Sequence, residues 1–397
     1  MGLSHVFRAA ALVFFALFLS GCSSGVVIVP AGGDYGDAPD GSATGYPGLF
    51  AQNGQFPTLA ANNGARTLDV NGARLGADAS TESDANDPAD SDGIPNLSPE
   101  NTDSDDGIAR MMIQVVAIPP PAFLDVDVSV PNGGQGGTYW LNVLIDLNMD
   151  GEWGGSVPPG NPEWVVKNRP VALAAGERRV ERSDYFAYGN GNRLPDPAWM
   201  RVALTSEPVA GTDWDGSGEF SVGEIEDHLV RMPRKPDGTK LPVVAMQCGA
   251  PVKIFVAGQA RMNFNCTVTE LVGQAGSVRY WLDRRSGGVT ISLDATLPPG
   301  ASVPGTAPDG DGFVQTADIG AFGTVTLSLT ATRGILPSTW SYGASAIDPM
   351  SVVDSQGVIA GATDSTGTIT FVDEESLGEL ELEQWTETSE SRRQGDQ

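Results

Sequence analysis

Histidine is almost missing from this chain: two in 397 residues, of which only His228 lies beyond the amino-terminal leader. That excludes a zinc site built on a histidine pair and any His-Glu-x-x-His helix. A serine triad would have to use His228 itself, and no Gly-x-Ser-x-Gly elbow is present to serve it. No glycine-rich phosphate loop follows a strand and opens a helix. Basic residues are scarce too, 23 against 50 acidic ones, for a formal net charge of −27 and a pI near 4.2. Such a surface repels nucleic acid and anionic lipid alike. Beyond the leader no stretch is long and apolar enough to span a bilayer as a helix. With little lysine but 50 glycines and 28 prolines, the composition fits a loop-rich β-protein.

The amino terminus is an export signal. Arg8 supplies a short basic region, Ala9 to Leu19 is apolar, and Ser20 and Gly21 are small. Leu19-Ser20-Gly21-Cys22 resembles the bacterial lipobox, which implies cleavage before Cys22 and lipid on its thiol. Ser23 follows the cysteine where an aspartate would favour inner-membrane retention; by resemblance to Gram-negative lipoproteins the expected site is the outer membrane. Setting Cys22 aside leaves Cys248 and Cys266, which an oxidising compartment allows to pair. Closing that loop is worth roughly 3 kcal/mol if strain is small.

Two stretches carry oxygen ligands at calcium-loop spacing. In Asp213 to Val230, oxygen-bearing side chains fall at loop positions 1 (Asp213), 3 (Asp215), 5 (Ser217), 9 (Ser221) and 12 (Glu224). Gly218 occupies position 6, where the loop bends, and the Glu219 carbonyl supplies position 7. The second, Asp146-Leu147-Asn148-Met149-Asp150-Gly151-Glu152, offers Asp146, Asn148 and Asp150 but has Val157 at position 12. Glu163 is available to complete it, though nothing local requires that. A hard cation wants six to eight oxygens, so both patterns point to calcium, with a solvated acidic turn as the alternative. Neither loop lies between convincing helices, so an EF-hand pair is not expected.

Residues 34–106 hold fourteen acids against Arg66 and Arg74, a composition compatible with a metal-clamped loop or with a disordered linker. Strand-like runs follow at 108–117, 123–130, 138–146, 170–180, 199–206 and 224–230. Arg231 to Gly238, rich in proline and basic charge, marks a linker. Beyond it, runs recur at 252–258, 262–271, 277–282, 289–293, 324–332 and 367–372. The expected fold is all-β: two antiparallel β-sandwich-like domains with long acidic loops. The expected organisation is signal 1–21, lipidated cysteine and tether 22–33, acidic β domain 34–230, linker 231–240, immunoglobulin-like sandwich 241–372 and acidic tail 373–397. The turn at 308–312 is expected to be a plain surface turn. Trp281 and Trp340 are either core aromatics or an exposed glycan platform, the core being favoured.

The opening DYGDAPDG, the LGADASTESD with the later DSDDGI, the WLNVLIDLNMDGEW and the GEIEDHLV together resemble the GEVED family of bacterial surface proteins. Gly223-Glu224-Ile225-Glu226-Asp227 fills the signature with isoleucine for valine, and His228 stands where the family usually has tyrosine. The resemblance covers about half the chain, 34–230. It implies an extracellular β-rich module and no activity. The functional expectation is a non-catalytic, calcium-stabilised envelope lipoprotein. It would be held to the membrane by the lipid and present its sandwiches to a glycan or an envelope or extracellular protein. A carboxylate-dependent polysaccharide hydrolase and a spacer without specific ligand are the alternatives.

Overall fold

The computed structural model describes residues 32–86, 106–157, 161–234, 238–256, 259–286, 290–293, 312–332, 338–345, 352–354, 357–362 and 365–371. The signal, Cys22, the acidic residues 87–105, most of the 308–312 turn and the tail 373–397 lie outside them, as do the side chains of Trp281 and Trp340.

The described chain is all-β, with two short 3₁₀ turns and no α-helix among the described residues. Seven strands build the first sandwich: β1 (Ile108–Ile113), β2 (Pro121–Ser129), β3 (Gly137–Ile145), β4 (Trp164–Leu173), β5 (Arg178–Arg182), β6 (Ala198–Thr205) and β7 (Gly223–Arg231). One sheet runs β4-β3-β6-β7 and the other β5-β2-β1, all antiparallel. The single run expected over 170–180 is two strands in different sheets. Glu177 N–H donates to Ala174 O, the Glu177 carboxylate accepts from Ala174 N–H, and Gly176 takes a left-handed φ of 74°. That turn needs a residue free of a Cβ penalty, which glycine supplies.

Between the two sheets Leu124, Val126 and Val128 of β2 meet Leu141, Val143, Met200, Val202 and Leu204 of the facing sheet. The β3-β6-β7 sheet is buried on its outer face as well. There Leu144, Trp199, Ala203, Ile225 and Leu229 pack against Tyr46, Phe56, Trp153, Trp214 and Phe220. Residues 38–65 therefore form a folded cover over that outer face, whereas Arg74–Leu75 pairs with β2 and places Ala73 and Leu75 in the inter-sheet core. Burial on both faces explains why β6 reads as an almost unbroken apolar run rather than an alternation.

The exception in that run is Arg201, fully buried and fully satisfied. Its Nε and Nη2 donate to Asp227 Oδ1 and Oδ2 at 2.8 and 2.6 Å. Nη1 donates to the carbonyls of Pro57 and Gly216, Nη2 also to Thr58 Oγ1, and the guanidinium lies 4.3 Å from the Trp153 ring centroid. Asp227 also accepts from Ala38 N–H at 2.8 Å. One ion pair thus fastens three cover segments to the central strands.

Residues 244–371 add two more antiparallel sheets, one ordered 244–248, 259–270, 324–332, 290–293 and the other 312–319, 276–286, 338–345, 365–371. Cys248 and Cys266 face each other in register on the first two strands of the former and are disulfide-bonded, stapling neighbours as the spacing suggests. This half returns to the first sandwich. Gly357–Ile359 pairs parallel with β7, and Gly361–Ala362 parallel with β1. Val358, Ala360 and Ala362 enter the inter-sheet core together with Val243, Ala245, Leu271 and Val272. Within the segment 231–240, Arg234 and Lys240 both pair with the buried Asp196.

Candidate metal centre

β3 ends at Ile145, and the chain turns sharply through Asp146 to Glu152. Met149 and Gly151 adopt left-handed φ values of 59° and 80°. A Cβ on Gly151 would press only on the flexible Gln52 amide, at 3.1 Å, so it is the left-handed φ that favours glycine there. The loop folds around its first aspartate. Asp146 Oδ1 accepts from Asp150 N–H (3.2 Å), while Oδ2 accepts from Gly151 N–H (2.9 Å) and the Tyr46 hydroxyl (2.9 Å). Asn148 Oδ1 accepts from Asp150 N–H at 2.8 Å, and its amide donates to Asp150 Oδ2 at 2.7 Å.

Glu163 arrives from the start of β4. Its carbonyl accepts from Ile145 N–H at 2.9 Å, the pairing that continues the β3-β4 ladder, and its Oε1 accepts from Leu147 N–H at 3.1 Å. Ligand oxygens of Asp146, Asp150 and Glu163 lie within 4.8 Å of one another. Asp146 and Glu163 are fully buried, and Asp150 is exposed. Glu163 Oε2 is buried without a hydrogen-bond partner. A carboxylate oxygen left so is costly unless a proton or a cation meets it. Burial raises Asp146 to about 7, and burial together with the Asp146 and Asp150 charges raises Glu163 to about 9. The donors are all oxygen, which suits calcium, magnesium or manganese rather than zinc or copper.

The structure does not gather the ligands expected from Asp213 to Glu224. Asp213 is exposed and accepts from Gly155 N–H (3.2 Å), and Asp215 accepts from Ser217 N–H and Oγ. Glu219, expected to contribute its carbonyl, has its carboxylate paired with Arg66, and Ser221 N–H donates to Glu207. Glu224 is buried, accepting from Leu75 N–H. The reason is the strand. Trp214 and Phe220 pin the loop to the outer face, whereas alternation from Gly223 turns Glu224 toward the inner one.

Glu224 belongs to a second buried acidic group. Asp34 Oδ2 accepts from Ile225 N–H at 2.6 Å, Glu82 from Tyr35 N–H at 2.5 Å and Glu226 from Gly107 N–H at 2.8 Å. Glu226 also meets His228 Nε2 at 3.1 Å. Burial raises Asp34, Glu224 and Glu226, with mutual repulsion adding to the first two and His228 offsetting the third. Each carboxylate is spent on a backbone N–H that ties a strand or loop to β7 or to its neighbours. The period-2 placement of Glu224, Glu226 and His228 is the one sequence signal that could have identified this row as facing inward.

No protein-family model matches the chain, and no curated protein does. Among solved structures it is similar to a serine-rich repeat protein from Streptococcus agalactiae, at 9% identity over 68% of this chain and 95% of that one, with a TM-score of 0.23. It is also similar to a variant of the major pilin subunit of Bacillus cereus, at 8% identity over 66% and 69% of the two chains, with a TM-score of 0.18. At these scores the similarity carries no inference about activity, and the geometry above has to supply it.

Proposed function

We propose that this chain is a non-catalytic protein of the bacterial cell envelope whose first sandwich is stabilised by calcium. The ion is held by Asp146, Asp150 and Glu163 with help from Asn148, and the protein presents its β-sandwiches for surface binding. The observation that carries the reading is Glu163 Oε2, buried and unpartnered among three converging carboxylates. Export is supported by the leader 1–21 that precedes Cys22 and by the Cys248–Cys266 disulfide, which suits an oxidising compartment. Lipid on Cys22, placement in the outer membrane, a glycan or protein partner, and the likeness of 34–230 to the GEVED family belong to the same proposal.

Hydrolysis is the weaker reading. A catalytic acid must reach a glycosidic oxygen, whereas Asp146 and Glu163 are fully buried and the Asp146 oxygens already accept three hydrogen bonds.

Thermal melting tests the calcium reading. A site of ~0.1 mM affinity, within the range of extracellular modules, adds about 1.4 kcal/mol at 1 mM free calcium. For a melting unit of about 200 residues, the size of the first sandwich with its cover, that raises the melting temperature by ~3–6 °C over the same protein in EGTA. Identical melting curves in the two buffers would remove the support for a structural ion.

A further inference from the structure

The ion loop holds part of the cover in place. Asp40–Ala43 and Asn53–Gln55 pair as the two strands of a hairpin. Among the described residues, the hydrogen bonds that leave its far end, residues 44–55, reach two places. Three reach the ion loop: the buried Tyr46 hydroxyl donates to Asp146 Oδ2 at 2.9 Å, Gln52 Nε2 to Met149 O at 3.0 Å and Gln55 N–H to Gly151 O at 2.6 Å. Two reach Trp199 of β6, whose N–H donates to the Tyr46 hydroxyl at 3.0 Å and whose Nε1 donates to Thr44 O at 2.9 Å. The base of the hairpin is tied elsewhere. Asp40 accepts from Thr58 and Leu59 N–H, and Ala38 N–H donates to Asp227 of the Arg201 pair.

We propose that residues 44–55 are a calcium-dependent clasp, closed over the outer face when the ion is bound and released from the loop when it is not. This rests on the calcium reading. The geometry gives the coupling its route. Met149 O and Gly151 O meet the hairpin while the backbone keeps its left-handed turns at Met149 and Gly151. That conformation brings oxygens of Asp146, Asp150 and Glu163 within 4.8 Å of one another, where they repel unless a cation or a proton stands between them. A cation therefore favours the same loop shape that presents both carbonyls, and its ligand Asp146 is itself the acceptor for Tyr46. The base depends on Asp40 and Asp227 instead, so that end stays closed in either state. A site of ~10⁻⁴–10⁻³ M affinity fills only where free calcium nears millimolar, and the clasp responds over that range. Such coupling is reciprocal: whatever factor the ion adds to closure, closure adds to ion affinity. Gln52, exposed and bonded to a carbonyl rather than to a ligand carboxylate, is thus a positioning residue for the ion.

Hydrogen exchange of the full chain carrying Cys22→Ser, followed by mass spectrometry, separates the clasp from the ion site. Peptides from 44–55 should exchange at least about fivefold more slowly in saturating calcium than in EGTA, and Glu163→Gln should remove the difference. Peptides from 58–67, tied to Asp40, should exchange alike in both buffers. Gln52→Ala should weaken calcium binding about two- to tenfold by calorimetry and leave the melting temperature in EGTA unchanged. A merely structural role would lower melting in both buffers and leave the affinity alone. Calcium uptake with no change at 44–55, or with Gln52→Ala binding as the parent does, overturns the clasp and leaves the calcium reading intact. Equal slowing at 44–55 and 58–67 also overturns it, since the ion then steadies the cover as a whole. A chain that takes up no calcium removes both.

Discussion

Replacing Arg201 by methionine is expected to lower the melting temperature by ~6–20 °C, the largest effect expected of a single substitution in this chain. The side chain is fully buried, and its removal strands the Asp227 carboxylate in an apolar layer beside Trp153 and Phe56. Breaking a buried pair from one side costs about 3–5 kcal/mol. A domain of this size melts ~2–4 °C lower for each kcal/mol lost. The carbonyls of Pro57 and Gly216 lose their donor in the same step, so the cover over the β3-β6-β7 sheet loosens together with the pair. The double variant Arg201→Met with Asp227→Leu should recover much of the loss, because no unpaired charge remains. Recovery will be incomplete, since those carbonyls and Ala38 N–H stay unsatisfied. A single variant melting within about 2 °C of the parent would contradict the role assigned to Arg201.

The second large effect is an inverted dependence of stability on pH. An acid whose folded pKa lies above its unfolded value keeps a proton in the native state that the unfolded chain has released. Such a group contributes stability that is complete below the unfolded value and is lost as pH rises through the folded one. Asp146, near 7, and Glu163, near 9, are of this kind, and Asp34, Glu224 and Glu226 act in the same direction. In EGTA, chemical denaturation should therefore show stability falling between pH 5 and pH 9. The fall should reach several kcal/mol, because each tenfold difference in proton affinity between folded and unfolded chain is worth about 1.4 kcal/mol. Asp125 works the other way. Its arginine partners hold it below the ordinary range, so its contribution is lost only in stronger acid, outside that window. Calcium should counter the fall, because the ion requires the carboxylates deprotonated and its stabilisation grows as pH rises. A level or rising profile in EGTA over the same range would show that these acids are not buried as described.

Much of the architecture could be read from alternation and turn residues. The runs at 123–130, 138–146, 199–206, 224–230 and 324–332 each fall on a strand to within two residues. The Cys248–Cys266 pairing followed from setting Cys22 aside as the lipidated cysteine in an oxidising compartment. The 170–180 run misled because β4 and β5 are both strand-like and only Gly176 marks the turn between them. The strand at 357–362 was missed for a different reason. Its partners β7 and β1 lie more than a hundred residues away, and parallel pairing leaves no local turn signal.

The metal centre shows the same division. Asp146, Asn148 and Asp150 were visible as a local spacing, but the ladder between β3 and β4 had to form before Glu163 could stand beside them. The more complete pattern, Asp213 to Glu224, satisfies the spacing in sequence and not in space. A loop motif fixes side-chain order, whereas the strand that begins at Gly223 decides which way position 12 points. Residues 34–86 show the limit of composition. Their acids are largely taken up by backbone N–H groups, Asp34 by Ile225, Asp40 by Thr58 and Leu59, Asp69 by Asn71, Glu82 by Tyr35 and Asp84 by Ala60, so they fold where charge alone left the outcome open.

Calorimetric titration of calcium into the metal-free protein, set beside Glu163→Gln, tests the account at its centre. The unaltered chain should bind with a dissociation constant of ~10⁻⁴–10⁻³ M. It should release between about one and two protons per ion at pH 7, because a group near 9 enters the reaction protonated and one near 7 about half protonated. Glu163→Gln should weaken binding at least tenfold and cut that proton release by about one, leaving the part due to Asp146. A chain that takes up no calcium, or one whose uptake is untouched by Glu163→Gln, would contradict it.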